Sequence, residues 1–470
     1  MTKVLNTFLQ QNFLLQNSLA EQLYHQVAAD LPIVDFHNHL PTHDIATNRQ
    51  FENISQLWIA GDPYKHRMMR MFGILESEIT GDTSDEAKFK HWAKILPFTL
   101  GTPLYHWSAL ELKRVFDIDE LLDANNAEEI WQACNLKLQQ PQFRAASITN
   151  NFNPEYLVTS DKVLDDISVH TAANTQLNNA KILPSLRGDD LLNFTQSEFS
   201  GFLKKLSAEK INDLTDYQKV ITEYLAKFDQ QGCVMADHAL DAGFTYVDTS
   251  EEKARSIFKE LLHGKTLNTD QETQLKSYLM HFLGKEYARR NWVLQLHIGA
   301  HRNTSTRLAK LARSTGGFAG IGNSCDVTSL VNFINELEKE EHLPRLILYT
   351  LNPNDYEALA TLTGSFAEDG LAGKIQLGPA WWYNDHQSGI ERHLDVIANY
   401  SVLSQFIGMT TDSRSILSLS RHEYFRRILC NYLGEMVAQK QAPNDFELLS
   451  QIVMKVCYAN SKSMILNENK

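Results

Sequence analysis

The sequence predicts an α/β protein built as a closed (β/α)8 barrel, with a helical insertion after the first strand and N-terminal helices ahead of it. Three observations lead there. Eight short runs rich in β-branched and aromatic residues recur along the 470 residues, separated by longer stretches of helical periodicity. Apolar strands alternating with helices imply parallel β-α units, and eight of these close into a TIM barrel of about 250 residues, leaving room for insertions. Polar and ionisable residues also gather at the C-terminal end of nearly every run, where such barrels build their chemistry.

Residues 1–30 open with "MTKVLNTFLQQNFLLQNSLA", whose apolar positions are broken by Gln and Asn. That pattern reads as helices packed on the barrel and not as the apolar stretch of a signal peptide. The first strand is "PIVDFH" (32–37), bracketed by Pro32 and Pro41. The barrel is expected over 31–44 and 151–470. Residues 45–150 contain "QLWIAGDPYKHRMMRMFGIL" and "FKHWAKILPFTLGTPLYHWSALELKRVF", the expected helical insertion over the active-site face. The later strands are "YLVTS" (156–160), "KILPSLR" (181–187), "CVMADH" (233–238), "WVLQLHI" (292–298), "RLILYTL" (345–351), "KIQLGPA" (374–380) and "QFIGMTT" (405–411). Helices between them carry start and stop signals. One, "TDYQKVITEYLAKFDQQG", runs from a Thr215 cap to Gly232, and another, "SEEKARSIFKELLHG", from a Ser250 cap to Gly264.

Composition narrows the function. With 43% hydrophobic and 21% charged residues the chain is globular, and no run of about 18 apolar residues offers a membrane span. A net charge of −13 argues against nucleic acid as a partner, yet a few arginines can still dominate the potential of a cleft that takes a small anion. Cys134, Cys233, Cys325, Cys430 and Cys457 are scattered and form no C-x-x-C, as expected of reduced thiols in a cytoplasmic protein. Cys233 begins a strand with no neighbouring base, which makes it a core residue before a nucleophile. The expected partner is a small molecule, with no nucleic acid and no membrane; assembly into a homo-oligomer stays open.

The chemistry starts at "FHNH". Side chains at i and i+2 of a strand share a face, roughly 6.6 Å apart. His37 and His39 can therefore reach one ion while Asn38 points away. Neutral imidazole suits zinc-like ions. In the last run, "GMTTDSRS", Asp412 and Arg414 share a face in the same way. A carboxylate beside two imidazoles would complete a site for one divalent metal ion, with zinc expected. A local Asp412–Arg414 salt bridge capping the next helix is the alternative. The Arg414 fork can hold a substrate carboxylate in bidentate fashion, and so can Arg187 at the third strand end. Ser160, Asp161 and Asn352 close other strands. His238 and His297 could each be a ligand, a proton shuttle or a buried histidine bonded to backbone. Trp381 and Trp382 could wall the site against sugar carbons or simply pack. Of these, His297, Trp381 and Trp382 join the substrate-contact candidates.

Taken together, these stretches resemble the uronate isomerase (glucuronate isomerase) family of the amidohydrolase superfamily. The resemblance runs in order through "FHNHLP", "LWIAGDPYKHRMMR", "PLYHWSALELKRVF", "VMADHALD", "EYARRNWVLQLHIGA", "ILYTLNP", "WWYNDHQSGIER" and "GMTTDSRSILSLSRHEYFRRILC". It implies a TIM-barrel enzyme converting D-glucuronate to D-fructuronate, or D-galacturonate to D-tagaturonate, through an enediol. It also implies that His37, His39 and Asp412 bind the metal, that Arg187 and Arg414 contact the uronate, and that Tyr64 reaches the site from the insertion. Asp412 and Tyr64 are the candidates for proton transfer. Some positions depart from the family pattern. Pro63 stands where histidine is usual, Leu186 and Gly188–Asp190 flank Arg187 in place of Trp and Pro-Asp-Lys, and His301 and Pro379 also differ. Two rival readings use the same fold: a metal-dependent hydrolase and a non-catalytic sugar-acid binding protein.

Overall fold

Segments that are apolar on both faces need cover on both sides, and a parallel sheet wrapped by helices supplies it. The computed structural model describes residues 9–241, 244–302, 304–312 and 316–467. Among them run nine strands: β1 (Ile33–Asn38), β2 (Pro154–Lys162), β3 (Lys181–Arg187), β4 (Met235–Asp241), β5 (Val293–Ile298), β6 (Ala300–His301), β7 (Gly320–Ile321), β8 (Leu346–Thr350) and β9 (Ile375–Leu377). Seven form one curled sheet in the order β1-β2-β3-β4-β5-β8-β9, every pairing parallel, while β6 and β7 make a small antiparallel hairpin. Each strand is laid beside its predecessor, so all C-terminal ends emerge on one face.

The eighth expected run, 405–411, is not a strand. Gln405 closes a short 3₁₀ turn, Leu403–Gln405, and the chain then continues without a ladder. The cause is local. Gly408 at φ 86° and Asp412 at φ 43° adopt left-handed backbone conformations that no regular strand accommodates. Glycine is required at 408, because a Cβ there would lie 2.1 Å from the Val456 carbonyl oxygen.

Side chains replace part of the missing ladder. The Asp412 N–H donates to the His37 carbonyl at 3.0 Å and the His39 N–H to the Ser413 carbonyl at 2.9 Å. Between them, Thr410 Oγ1 accepts the His37 N–H at 2.8 Å. Asp35, wholly buried, accepts from Thr410 Oγ1 at 2.5 Å, from the Thr411 N–H at 2.8 Å and from Thr411 Oγ1 at 2.6 Å. Burial alone would raise the Asp35 carboxyl, but His422 and the two threonines hold it below its usual range. The segment thus docks on β1 through a buried carboxylate.

Ahead of β1, helix Ser18–Leu23 continues as a π-helical turn over Tyr24–Ala28 and packs against helix Arg421–Ala438; residues 1–8 of the expected N-terminal helices lie outside the described residues. Between β1 and β2 the chain is largely helical, including Pro63–Met71, Asp85–Ile95, Pro103–Phe116 and Ala127–Leu138. Ser250 caps its helix as expected, accepting the Lys253 N–H. Thr215 does not. Helix Leu214–Gln230 is capped two residues earlier by Asp213, which accepts the Asp216 N–H, and Thr215 Oγ1 instead accepts from Arg255.

Candidate active site

The end of β1 brings His37 and His39 to one face, their ring centroids 5.4 Å apart. Asp412 faces them from the closing segment: its Oδ1 lies 3.6 Å from His37 Nε2 and 3.1 Å from His39 Nε2. Its other oxygen, Oδ2, accepts two indole N–H groups, from Trp381 and Trp382, each at 2.6 Å. The left-handed backbone that disqualifies residue 412 from a strand is what aims its carboxylate here. No Asp412–Arg414 salt bridge forms among the described residues.

Burial would raise the Asp412 carboxyl, yet hydrogen bonds and charge from His37 and His39 hold it well below the usual carboxylate range. For His37 the balance reverses: burial opposes protonation, but Asp412 and Asp237 together raise its affinity for a proton. His297, at the end of β5, stacks on Tyr349 at 4.5 Å and lies 4.6 Å from the His37 ring. Burial, reinforced by His37, keeps it neutral.

A cleft of about 300 Å³ opens above this cluster, and Arg67, Arg187, Arg302 and Arg414 line it together with Tyr64 and Trp382. An adjoining pocket of about 30 Å³ shares Asp412 with the cleft and is bounded by His37, Asp237 and His297. Three of the arginines are already engaged. Arg187 Nε donates to Asp189 at 2.9 Å, Arg302 Nε to Asp241 at 2.6 Å, and Arg67 to the Ala319 carbonyl at 3.0 Å. Arg414 is exposed to the cleft and pairs with no described carboxylate. A monoanion entering this cleft meets fixed positive charge on several sides.

Other expected positions fall elsewhere. His238 faces away from the cleft. Its ring lies against Gly188, and its Nε2 meets the Tyr287 hydroxyl at 2.8 Å. Asp161 bonds Thr159, and Asn352 caps the turn Pro353–Asp355. Cys233 is buried, which pushes its thiol up and leaves it inert.

Strand alternation explains one residue that the motifs do not single out. Asp237, next to His238, points inward and accepts from Ser160 Oγ at 2.9 Å and from Ser185 Oγ at 3.2 Å. Its ladder partner is Gln295, two residues before inward-facing His297, which would have identified it. Arg302 follows β6 directly and was legible as a strand-end cation in "LQLHIGAHRN"; Arg67 lay within "DPYKHRMMR" but carried no signal of its own.

The donor set suits a metal ion. His37, His39 and Asp412 offer ligand atoms that all lie within 4.8 Å of one another, and so do His37, Asp237 and His297. His37 Nδ1 and His297 Nε2 are buried without a hydrogen-bond partner, the state of imidazoles prepared for a further acceptor or ion.

Comparison with known proteins gives the family of the chain. The family profile described as glucuronate isomerase matches residues 5–465. The chain is 42% identical over 459 residues to the uronate isomerase of Caldanaerobacter subterraneus subsp. tengcongensis, covering 97% of this chain and 98% of that protein. Among solved structures, it resembles the uronate isomerase of Thermotoga maritima with a TM-score of 0.91 at 32% identity, covering 98% of this chain and 100% of that one. It also shares the fold of the glucuronate isomerase of Caulobacter crescentus, with a TM-score of 0.89 at 23% identity, covering 98% of this chain and 97% of that one.

Proposed function

The chain belongs to the glucuronate isomerase family and is an aldose–ketose isomerase of hexuronates; on that premise we propose how its cleft performs the reaction. The substrate is D-glucuronate, giving D-fructuronate, or D-galacturonate, giving D-tagaturonate, or both. The observation that carries this reading is the divided Asp412 carboxylate, one oxygen pinned by two indoles and the other facing paired histidines beneath an arginine-lined cleft. Family membership favours it over the hydrolase and the non-catalytic binder.

Isomerisation requires the open-chain sugar, removal of the C2 proton and its return at C1 through a cis-enediol. Arg414 and Arg187 hold the C6 carboxylate, which fixes the carbon presented to the base. Ionised at neutral pH and oriented by Trp381 and Trp382, Asp412 takes the C2 proton and returns it at C1. Burial raises Tyr64 well above the usual phenol range despite the opposing charge of Arg421, so Tyr64 serves as a hydrogen-bond donor to a sugar oxygen and not as the base. Trp382 and neutral His297 close the wall. When bound, a divalent ion, with zinc our choice, would be held by His37, His39 and Asp412 and would supply Lewis-acid polarisation of substrate oxygens.

We further read the curled sheet and the docked segment 406–413 as a (β/α)8 barrel with an irregular eighth position, roofed by an insertion over 45–150. No described helix is long and apolar enough to cross a membrane, and we place the enzyme in the cytoplasm as a homo-oligomer. Incubation with each hexuronate, followed by NMR of the products, tests the function. Ketose from at least one acid is expected; recovery of both acids unchanged would overturn it.

A further inference from the structure

The run "SRHEYFRRILC" contributes no side chain to the cleft wall, although it is among the most distinctive stretches of the chain. Its first arginine, Arg421, opens helix Arg421–Ala438 and is only 1% exposed, rare for a guanidinium. Arg421 makes no ion pair with a described carboxylate. Its Cζ lies 3.8 Å from the centroid of the Trp107 ring and 5.2 Å from that of Tyr64. Those two rings meet edge-on at 5.9 Å. The guanidinium Nη1 donates across 3.4 Å to the carbonyl of Thr411, the residue before Asp412. Countercharge comes from farther off, since both Asp62 and Asp385 feel this cation.

The contacts come from separate parts of the chain. Tyr64 sits at the start of helix Pro63–Met71, whose first turn Asp62 caps by accepting the Tyr64 and Lys65 N–H groups. Lys65 Nζ pairs with the same carboxylate at 2.6 Å. The backbone of Tyr64 is thereby anchored, but its ring is set by what it packs on, and that is Trp107 and Arg421. Thr411 belongs to the segment lacking a ladder, where each extra hydrogen bond matters for the direction of Asp412.

We propose that Arg421 is a positioning residue that holds the Tyr64 ring and the Thr411–Asp412 peptide in one arrangement, so that tyrosine and carboxylate address the same sugar. This rests on the reading of Tyr64 as a substrate contact. The role calls for arginine: a flat cation can lie on the Trp107 face and still reach a carbonyl with its edge, whereas a lysine ammonium supplies charge without the plane.

A double-mutant cycle tests it, with kcat and KM measured on D-glucuronate and bound metal by elemental analysis. Arg421→Met should lower kcat about 100-fold, leave KM within about threefold and leave metal content unchanged, because orientation and not affinity is lost. In a Tyr64→Leu background the same change should cost about tenfold, because no ring remains to be held and only the hydrogen bond to the Thr411 carbonyl is lost. Equal losses in both backgrounds would overturn the proposal alone. Wild-type kinetics in Tyr64→Leu would overturn it together with the assignment of Tyr64. If Arg421→Met does not fold, Arg421→Lys takes its place, with an expected loss of about tenfold in kcat that likewise shrinks in Tyr64→Leu; a loss of the same size there overturns the proposal.

Discussion

Between β5 and β8 the partners keep step from Leu294 opposite Leu346 to Ile298 opposite Thr350. Beside β1 on the other edge, residues 406–413 keep no such register, and a buried carboxylate and two threonine hydroxyls bond where a ladder would. The two regions teach different uses of one backbone. A regular ladder delivers side chains at a fixed spacing of two, which suffices to bring Gln295 and His297 of β5 to one face. It cannot turn a carboxylate sideways to meet both histidines and two indoles. That takes a residue with positive φ, such as Asp412, and its cost is met by fastening the segment elsewhere.

The largest test of this contrast acts on the irregular side. Asp412→Asn should lower kcat by about 10³-fold, because it removes the base and places an amide against indole N–H donors. Metal content should fall as well. His37→Ala, on β1, should leave the fold intact and lower bound metal well below one ion per chain. Unchanged metal by elemental analysis in both variants would detach the cluster from any ion.

Next in size is the fastening itself. Asp35→Asn keeps the shape but turns an acceptor of four hydrogen bonds into a group that can satisfy only some of them. We expect a loss of about 3 kcal/mol in unfolding free energy, measured in urea, with activity falling even where the protein remains folded. A variant destabilised to this extent with wild-type kcat would show that the orientation of Asp412 does not depend on this fastening.

The same contrast explains what could be read from the sequence. Strands such as "WVLQLHI" and "RLILYTL" were legible because burial on both faces leaves an unbroken apolar run, and seven of the eight expected runs are strands in the sheet. The eighth, "QFIGMTT", looks equally apolar, but Gly408 packs against the Val456 carbonyl from a distant part of the chain, a contact that no local pattern encodes. In the site, the histidine pair and Asp412 were legible through spacing and through resemblance. In "VMADHALD" the histidine attracts attention, yet it is Asp237 that borders the site. Which of two adjacent residues faces inward depends on register with β5, and register is a property of the assembled sheet.

Arg414 should matter less than its neighbour two residues earlier. Exposed to the cleft and paired with no described carboxylate, it keeps its charge available to a ligand. Arg414→Ala should lower kcat/KM about 10- to 100-fold, the scale of one charge-assisted contact, without affecting stability. Arg187, tied to Asp189, should show a similar loss in kcat/KM together with some destabilisation. Wild-type kinetics on both hexuronates in Arg414→Ala would remove it from the site.

The smallest expected effect lies at the seam between the two regions. His393 is buried where β9 ends and the closing segment begins; its Nε2 donates to the Gly378 carbonyl at 2.8 Å and its ring lies 5.0 Å from Tyr356 and 5.4 Å from Phe406. Burial lowers its pKa from 6.5 to about 4, only partly offset by that hydrogen bond. The unfolded chain therefore takes up a proton first as the pH falls. Between pH 6.5 and about 4 the seam loses stability, by up to about 1.4 kcal/mol for each pH unit; above pH 6.5 it loses none. His393→Gln can keep the donor to Gly378 and has no proton to gain. Urea midpoints of the two proteins should run parallel above pH 7 and converge or cross as the pH drops to 5. If the gap between them is the same at pH 7.5 and pH 5, His393 does not titrate across this range.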